Sequence, residues 1–217
     1  MTEPTHQRAT RAAYDTVAVD YAALLNTELA GKPLDRALLG AFAELVKGAG
    51  NGPVADLGCG PGRVTAYLRS LGLTTFGVDL SPAMVAVARR EHPDLRFDEG
   101  SMSALDLVDS VLGGIVAWYS IIHTPPEQLP AVFAEFHRVL APGGYLLLAF
   151  QVGDARVHLE QAYGHAVSFD VYRLSPEVVS ELLSKAGLVV FARLLREPDT
   201  TETIQQAYLL ARKSVDA

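Results

Sequence analysis

The sequence has little cysteine, and it lacks both long apolar runs and clusters of basic residues. Its 217 residues include a single cysteine, Cys59, which cannot form an internal disulfide. No apolar run approaches the ~18 residues that a membrane-spanning helix needs. The N-terminal segment 1–11 is polar, unlike the apolar stretch of a signal peptide. We therefore expect a cytoplasmic protein that does not insert into membranes.

Acidic residues outnumber basic ones, with 25 Asp and Glu against 18 Lys and Arg and a formal net charge of -7. Proteins that bind duplex DNA or transfer RNA usually carry a basic patch that neutralises phosphates, whereas the arginines here fall in separate predicted elements. The sequence also has no cluster of side chains with metal-ligand spacing. It therefore favours a small-molecule partner over nucleic acid and predicts no metal site.

Helical and strand patterns alternate from residue 53 onwards, which is typical of a parallel sheet covered by helices on both faces. The composition, 49% hydrophobic and 20% charged, is ordinary for one globular domain. Thr124 and Glu127 form a capping-box pattern at the start of one helix. The predicted strands are 53–57, 74–79, 94–98, 114–119, 144–151, 187–195 and 204–212. The predicted helices are 8–26, 33–48, 62–71, 82–91, 126–140 and 175–186.

The most informative segment is the glycine-rich loop after the first predicted strand, which reads D-L-G-C-G-P-G-R over residues 56–63. Glycine accepts positive φ and has no Cβ, so such a loop can turn sharply and lie flush against a ligand. The dinucleotide fingerprint G-x-G-x-x-G requires glycine where Arg63 stands, and no Gly-Lys-Ser/Thr follows to form a P-loop. This spacing argues against a nucleotide-dependent oxidoreductase and predicts a different nucleotide-like ligand.

A second acid ends the next predicted strand, which reads T-T-F-G-V-D over residues 74–79. Ser81 and Pro82 follow as the N-cap and first residue of a helix. In a doubly wound sheet, an acid at this position can accept hydrogen bonds from both hydroxyls of a ribose. Asp79 therefore predicts an adenosine-type ligand. Leu80 and Met84 are expected to flank the adenine, although packing in the core is the alternative for Met84.

The pattern Asp-x-Gly-x-Gly-x-Gly at residues 56–62, followed by Asp79, resembles the ligand motifs of class I S-adenosylmethionine-dependent methyltransferases. The two strands predicted last in the chain resemble the end of that family's sheet, where the final strand lies antiparallel between its two predecessors. The resemblance spans residues 14–213. It implies a Rossmann-like α/β fold with a seven-stranded, mostly parallel sheet, an N-terminal helical lid, and S-adenosylmethionine as the cofactor without a metal.

The resemblance also implies where the cofactor binds. The glycine loop would wrap the methionine part, with Asp56 near its ammonium group, and a lid tyrosine would reach the carboxylate. Tyr14 and Tyr21 lie seven residues apart on one helix face, and burial of both rings against the sheet is the alternative. Ser101 replaces the acid that usually binds adenine. The expected cofactor contacts are Tyr14, Tyr21, Asp56, Gly58, Cys59, Gly60, Gly62, Asp79, Leu80, Met84, Gly100, Ser101, Met102 and Trp118.

Candidate residues for the methyl acceptor follow the fourth predicted strand. Residues 118–125 lie at the carboxyl edge of the sheet, where open α/β sheets bind ligands. They lack the Asn/Asp-Pro-Pro-Tyr signature of enzymes that methylate bases or amides, which favours a metabolite. His123 is a candidate general base, since its ordinary pKa lies near neutrality, and the alternative is a histidine that pins the loop. The expected substrate contacts are Tyr119, His123, His165 and Tyr172.

We expect one methyltransferase domain over residues 1–217. Its parts are a helical cap (1–50), a cofactor-binding core (53–151), a substrate-side insertion (152–173) with an edge strand at 165–172, and a C-terminal helix and β-hairpin (174–213). The predicted function is methyl transfer to an oxygen or nitrogen of a small metabolite, with carbon as a lesser alternative, by a monomer or homodimer. The alternative is a non-catalytic regulatory module that binds the same nucleoside.

Overall fold

The computed structural model describes residues 3–50, 52–200 and 202–215. Within these ranges the helices α1 to α6 span Thr5–Leu25, Pro33–Ala49, Arg63–Ser70, Pro82–Glu91, Leu129–Val139 and Pro176–Lys185. The strands β1 to β9 span Val54–Leu57, Thr75–Asp79, Arg96–Glu99, Leu112–Trp118, Leu140–Gln151, Arg156–Ala162, His165–Tyr172, Leu188–Arg196 and Gln206–Lys213. None of the described helices is both long and apolar enough to cross a bilayer.

Seven strands form one sheet in the order β3-β2-β1-β4-β5-β9-β8. The first five of these pair in parallel, whereas β9 runs antiparallel to both β5 and β8. The expected insertion of the last strand between its two predecessors is therefore confirmed. Strands β2 and β3 lie on one side of β1, and β4 and β5 lie on the other. The loops after β1 and β4 therefore diverge and leave a crevice at the carboxyl edge.

The centre of the sheet is buried on both faces, and every residue of β4 is buried. Helix α5 packs Phe133 and Phe136 on one face, and α2 packs Phe42 and Val46 on the other. The second contact is close, since a Cβ at Gly114 of β4 would lie 2.7 Å from Cζ of Phe42. Parallel strands covered on both faces are rich in apolar residues for this reason.

Helix α1 lies against α4 and the β6–β7 hairpin rather than against the main sheet. Val17 and Ala18 pack with Met84 and Val87 of α4. Asp15 of α1 also accepts hydrogen bonds from Ser81 Oγ at 2.6 Å and from the backbone amide of residue 83 at 3.1 Å. A carboxylate is favourable there because the first turn of a helix exposes free amides. Helix α1 is thus anchored across the start of α4.

The segment between β5 and α6 differs from its prediction. The strand expected at residues 165–172 has those bounds and packs on α1. However, it pairs antiparallel with β6 in a separate two-stranded sheet and is not an edge strand of the main sheet. Strand β6 was not predicted, because its residues alternate only between exposed and partly buried positions and leave no clear apolar face.

The predicted capping box at Thr124 and Glu127 is wrong. Thr124 adopts an extended backbone conformation with ψ of 125°, as expected for a residue that precedes proline. A short 3₁₀ turn follows at Pro126–Gln128, and α5 begins at residue 129 with no side-chain cap. Two consecutive prolines therefore delay the helix by one turn.

Candidate functional site

A cavity of about 400 Å³ opens at the carboxyl ends of β1, β2 and β4, and α1 forms one of its walls. It brings together thirteen of the side chains and glycines that the sequence predicted. They are Tyr14, Tyr21, Gly58, Gly60, Asp79, Leu80, Met84, Gly100, Ser101, Met102, Trp118, Tyr119 and His123. Asp56, Cys59, Gly62, His165 and Tyr172 do not line it.

The glycine loop turns through three residues with positive φ, of 73° at Gly58, 53° at Gly60 and 84° at Gly62. A Cβ at Gly58 would lie 2.3 Å from Cβ of Ser120, so glycine lets the loops after β1 and β4 meet. At Gly62 a Cβ would lie 2.7 Å from Cζ of Phe97. Gly62 therefore has a packing role outside the cavity, where it begins α3.

Asp79 joins two loops at the cavity wall. Its Oδ2 accepts a hydrogen bond of 2.7 Å from the amide of Gly60, and its Oδ1 accepts one of 2.9 Å from the amide of Ser81. Burial raises the pKa of this carboxyl, and the amide hydrogen bonds work in the opposite direction. A carboxylate has about four lone-pair sites, so both oxygens keep acceptor capacity for a ligand.

Asp56 lies beneath the glycine loop and is 1% exposed. Its Oδ2 accepts a hydrogen bond of 2.6 Å from Thr65 Oγ1 in α3, whereas Oδ1 has no hydrogen-bond partner among the described residues. Burial is the main cause that raises the pKa of Asp56 to about 7. The structure thus directs this side chain towards α3, and a direct contact with a ligand's ammonium group remains a prediction.

Cys59 points away from the cavity into a small apolar cluster with Val85, Ala88 and Phe97. Its Sγ fills the space above Gly77, where a Cβ would lie 2.6 Å from the sulfur. Burial also raises the pKa of the thiol well above its ordinary value, so Cys59 is a neutral packing residue at physiological pH. The backbone of the loop, rather than this side chain, faces the cavity.

His165 and Tyr172 lie at the two ends of β7. His165 Nε2 is 2.7 Å from Asp20 Oδ2 on α1, at the surface, and Tyr172 is partly buried against the hydrophobic core. The sequence missed Phe169 of the same strand, which is buried and contacts the rings of Tyr14 and His123. The alternation of Val167 and Phe169 with polar neighbours was the available signal.

Tyr14 and His123 meet in the cavity wall, with 2.9 Å between Tyr14 Oη and His123 Nε2. Burial raises the pKa of Tyr14 well above its ordinary value. Burial also lowers the pKa of His123 to about 4, although the backbone of Asp170 partly opposes this effect. Both side chains are therefore neutral near physiological pH, and a neutral imidazole can accept a proton.

Tyr21 lies on the same face of α1, edge to face with Tyr14 at 5.8 Å between ring centroids. Both rings line the cavity rather than pack on the main sheet. Next to Tyr21, Arg63 forms an ion pair with Glu28. Burial raises the pKa of Tyr21, and the neighbouring Arg63 partly opposes this effect. Burial lowers the pKa of Arg63, but Tyr21 and Glu28 raise it by more, so it lies above its ordinary value.

Three polar residues form a chain beside the loop after β3. Ser101 Oγ and Ser103 Oγ are 2.9 Å apart, and Gln7 Nε2 of α1 donates to Ser103 Oγ at 3.2 Å. The sequence predicted Ser101 only, since the pattern around β3 does not show which α1 residue reaches it. Other lining residues that the sequence missed include His6, Thr10, Ser120, Glu127 and Gln128.

Comparison with known proteins agrees with this geometry. Residues 54–144 match the family model described as "Methyltransferase domain". A malonyl-[acyl-carrier protein] O-methyltransferase of Pectobacterium atrosepticum is 32% identical over 51% of this chain and 43% of its own length. A demethylmenaquinone methyltransferase of Chlorobaculum parvum is 33% identical over 46% of this chain and 41% of its length. The chain thus spans less than half the length of these curated relatives.

Two solved structures cover 99% of this chain. The 1,6-didemethyltoxoflavin-N1-methyltransferase of Burkholderia thailandensis, crystallised with S-adenosylhomocysteine, has a TM-score of 0.71 at 22% identity and is covered over 92%. The magnesium protoporphyrin IX methyltransferase of Synechocystis has a TM-score of 0.72 at 15% identity and is covered completely. The fold is therefore that of class I methyltransferases, as the resemblance implied.

The matched domain contains the glycine loop, Asp79 and the strands that border the cavity. Residues 54–144 thus match a methyltransferase domain, and the chain has the fold of the family expected from the sequence, the class I S-adenosylmethionine-dependent methyltransferases.

Proposed function

We propose that this chain transfers a methyl group from S-adenosylmethionine to an oxygen or nitrogen of a small metabolite. One observation carries the proposal: Asp79, the lid tyrosines and His123 come from three distant segments and line the same cavity. The relatives are named for acceptors as different as a malonyl-acyl carrier protein and demethylmenaquinone, so the acceptor has to be inferred from the cavity of this chain.

The cofactor side of the cavity has the donors and acceptors that an adenosyl sulfonium requires. Asp79 would accept hydrogen bonds from the ribose, and Ser101 and Met102 would contact the adenine. The backbone of Gly60 borders open space, since a Cβ there would meet no atom nearer than Tyr21 Cε1 at 3.8 Å. When bound, the sulfonium supplies the methyl group and leaves as a neutral thioether, so no general acid is needed.

The acceptor side is formed by the first half of α1 and the segment before α5. Its polar side chains, His6, Thr10, Glu127 and Gln128, can form hydrogen bonds with a small polar molecule. His123 lies at this side and would serve as the general base for an acceptor that carries a proton. Positioning of the acceptor beside the methyl group would supply most of the rate acceleration.

The cofactor assignment can be tested by calorimetry with S-adenosylmethionine, S-adenosylhomocysteine and NAD. We expect both sulfur compounds to bind and NAD to bind weakly or not at all. Asp79→Asn should weaken binding of the sulfur compounds at least tenfold, because one charged acceptor for the ribose is lost. Asp106→Asn is the matched control, since Asp106 is exposed and lies outside the cavity lining. Tight binding of NAD alone would overturn the assignment.

Catalysis can be separated from regulatory binding by a methyl-transfer assay with labelled S-adenosylmethionine. The acceptor panel contains catechol, tyrosol, tyramine and a range of further hydroxyl and amine metabolites. Transfer to at least one member, together with a large loss of rate in His123→Asn, supports an enzyme that uses a base. Binding of the cofactor without transfer to any acceptor would instead favour the regulatory module.

A further inference from the structure

The pair formed by Tyr14 and His123 is held by three separate elements. Tyr14 lies on α1, and His123 ends a short turn after β4, 109 residues later. Their rings meet edge to face at 5.1 Å between centroids. Phe169 of β7 packs on both rings, at 5.6 Å from each. The pair is therefore fixed in place before a ligand arrives.

The hydrogen bond itself restricts what His123 can do. Both groups are neutral near physiological pH, because burial raises the pKa of Tyr14 and lowers that of His123. A neutral histidine has one acceptor nitrogen. If the Tyr14 hydroxyl donates to Nε2 over 2.9 Å, the acceptor site of that nitrogen is filled. The Tyr14 oxygen, however, keeps lone pairs that can accept a hydrogen bond.

We propose that Tyr14 is a catalytic residue that passes a proton from a hydroxyl acceptor to His123, an inference that rests on the proposed function. The acceptor hydroxyl donates its hydrogen bond to Tyr14 Oη, and Tyr14 donates to Nε2. The proton of Nδ1 stays on the imidazole throughout. Tyr14 thus contacts the acceptor, whereas His123 acts one hydrogen bond further away.

The step is balanced in atoms and charge. The acceptor oxygen forms a bond with the methyl carbon as the bond between that carbon and sulfur breaks, and the sulfur keeps the electron pair. The acceptor's proton moves to Tyr14, and the proton of Tyr14 moves to Nε2. The products are a methyl ether, a neutral thioether and an imidazolium. One positive charge disappears as the other forms, so His123 is never charged beside the sulfonium.

The first arm of the test does not depend on turnover. In protein labelled with ¹⁵N-histidine and saturated with S-adenosylhomocysteine, we expect His123 to be neutral between about pH 5 and 8, with the proton on Nδ1. Tyr14→Phe should shift the Nε2 resonance of His123. Tyr163→Phe, the same change at a ring that contacts Tyr21 outside the cavity lining, should leave it unchanged. A proton on Nε2, or no effect of Tyr14→Phe, would overturn the proposal.

The second arm compares rates with catechol and tyrosol as hydroxyl probes. Loss of a positioned proton-transfer group costs roughly 100- to 10,000-fold, so kcat of Tyr14→Phe should fall in this range with little change in KM. His123→Asn should lose a similar factor, and the double variant should lose no more than either single one. The affinity of Tyr14→Phe for S-adenosylhomocysteine should stay within about threefold of wild type, which is a difference of about 0.6 kcal/mol in binding free energy.

The outcomes separate the two proposals. If Tyr14→Phe keeps kcat within threefold, or loses affinity for S-adenosylhomocysteine instead, Tyr14 is a packing residue or a cofactor contact and the relay is wrong while the methyltransferase assignment stands. If wild-type protein binds S-adenosylhomocysteine but methylates neither these probes nor any other acceptor in the panel, the proposed function fails together with the relay.

Discussion

At the scale of single residues, the two acids of the nucleotide motifs have different environments. Asp79 accepts hydrogen bonds from the amides of Gly60 and Ser81 and faces the cavity. Asp56 is fully enclosed, with Thr65 as the partner of one oxygen. A buried carboxyl with one oxygen unpaired favours its protonated form, so ionisation of Asp56 opposes folding.

This difference predicts a pH-dependent stability. Asp56 has a folded-state pKa of about 7, above its ordinary value of 3.8, so the folded protein holds this proton more tightly than the unfolded chain. The contribution of Asp56 to the free energy of unfolding is fully present below the ordinary pKa. It is lost as the pH rises through the folded-state pKa, at up to about 1.4 kcal/mol per pH unit. In denaturant titrations, the free energy of unfolding of Asp56→Asn should rise relative to that of wild type as the pH increases from 3.8 to about 7. Asp106→Asn should show no such rise. A constant difference at all pH values would contradict the assignment.

At the scale of secondary-structure elements, α1 is attached through one narrow apolar face. Val17 is 2% exposed and packs on α4, whereas Val19, two residues later, is 61% exposed. The surface pair of Asp20 and His165 adds little, since exposed ion pairs contribute about 0–1 kcal/mol. Apolar packing on α4 and on β7 therefore contributes more to the attachment of α1 than this surface pair does.

The attachment of α1 can be tested with a matched pair of variants. Val17→Ala removes two buried carbon atoms and should lower the free energy of unfolding by about 2 kcal/mol, at ~0.8 kcal/mol for each carbon plus a cavity term. Val19→Ala should change it by less than about 0.5 kcal/mol. Denaturant titration measures both, and limited proteolysis shows whether α1 is released first. Equal effects of the two variants would contradict the observed orientation of the helix.

The elements that the sequence predicted well are those fixed by local chemistry. The glycine loop and the acid at the end of β2 depend on short-range backbone geometry, so their placement at the sheet edge could be inferred directly. The start of α5 and the existence of β6 depend on proline pairs and on a weakly apolar hairpin. The alternation of Val167 and Phe169 with polar neighbours indicates a buried face of β7, but it does not show that this face packs on Tyr14 and His123, which lie on distant segments.

At the scale of the whole molecule, a polar network connects β9, the strand next to the β8 edge of the sheet, to the cavity. Tyr208 of β9 donates to Asp35 Oδ1 of α2 at 2.9 Å, and its hydroxyl lies 3.1 Å from that of Tyr119. Tyr119 lines the cavity with φ of 55°, a conformation that costs energy for a bulky residue. The last strand thus supports a strained residue at the site.

Removal of this support should affect both stability and the cavity. Tyr208→Phe leaves Asp35 without its donor and should cost about 1–3 kcal/mol. The fluorescence of Trp118, the single tryptophan in the chain, should report the change, because its ring lies 5.4 Å from that of Tyr208. Tyr145→Phe, at a buried tyrosine outside this network, serves as the control. Equal losses in the two variants would show that the network contributes nothing beyond packing.

The contacts of α1 impose an order on biosynthesis. Residues of α1 form hydrogen bonds with partners that lie 66, 96, 109 and 145 positions later in the sequence. These partners are, in that order, at the start of α4, after β3, after β4 and on β7. Helix α1 is synthesised before any of these partners, and contacts between residues so far apart in the sequence slow folding because long loops must close. The nascent chain therefore becomes competent to enclose a ligand only after the hairpin that ends near residue 172 has emerged.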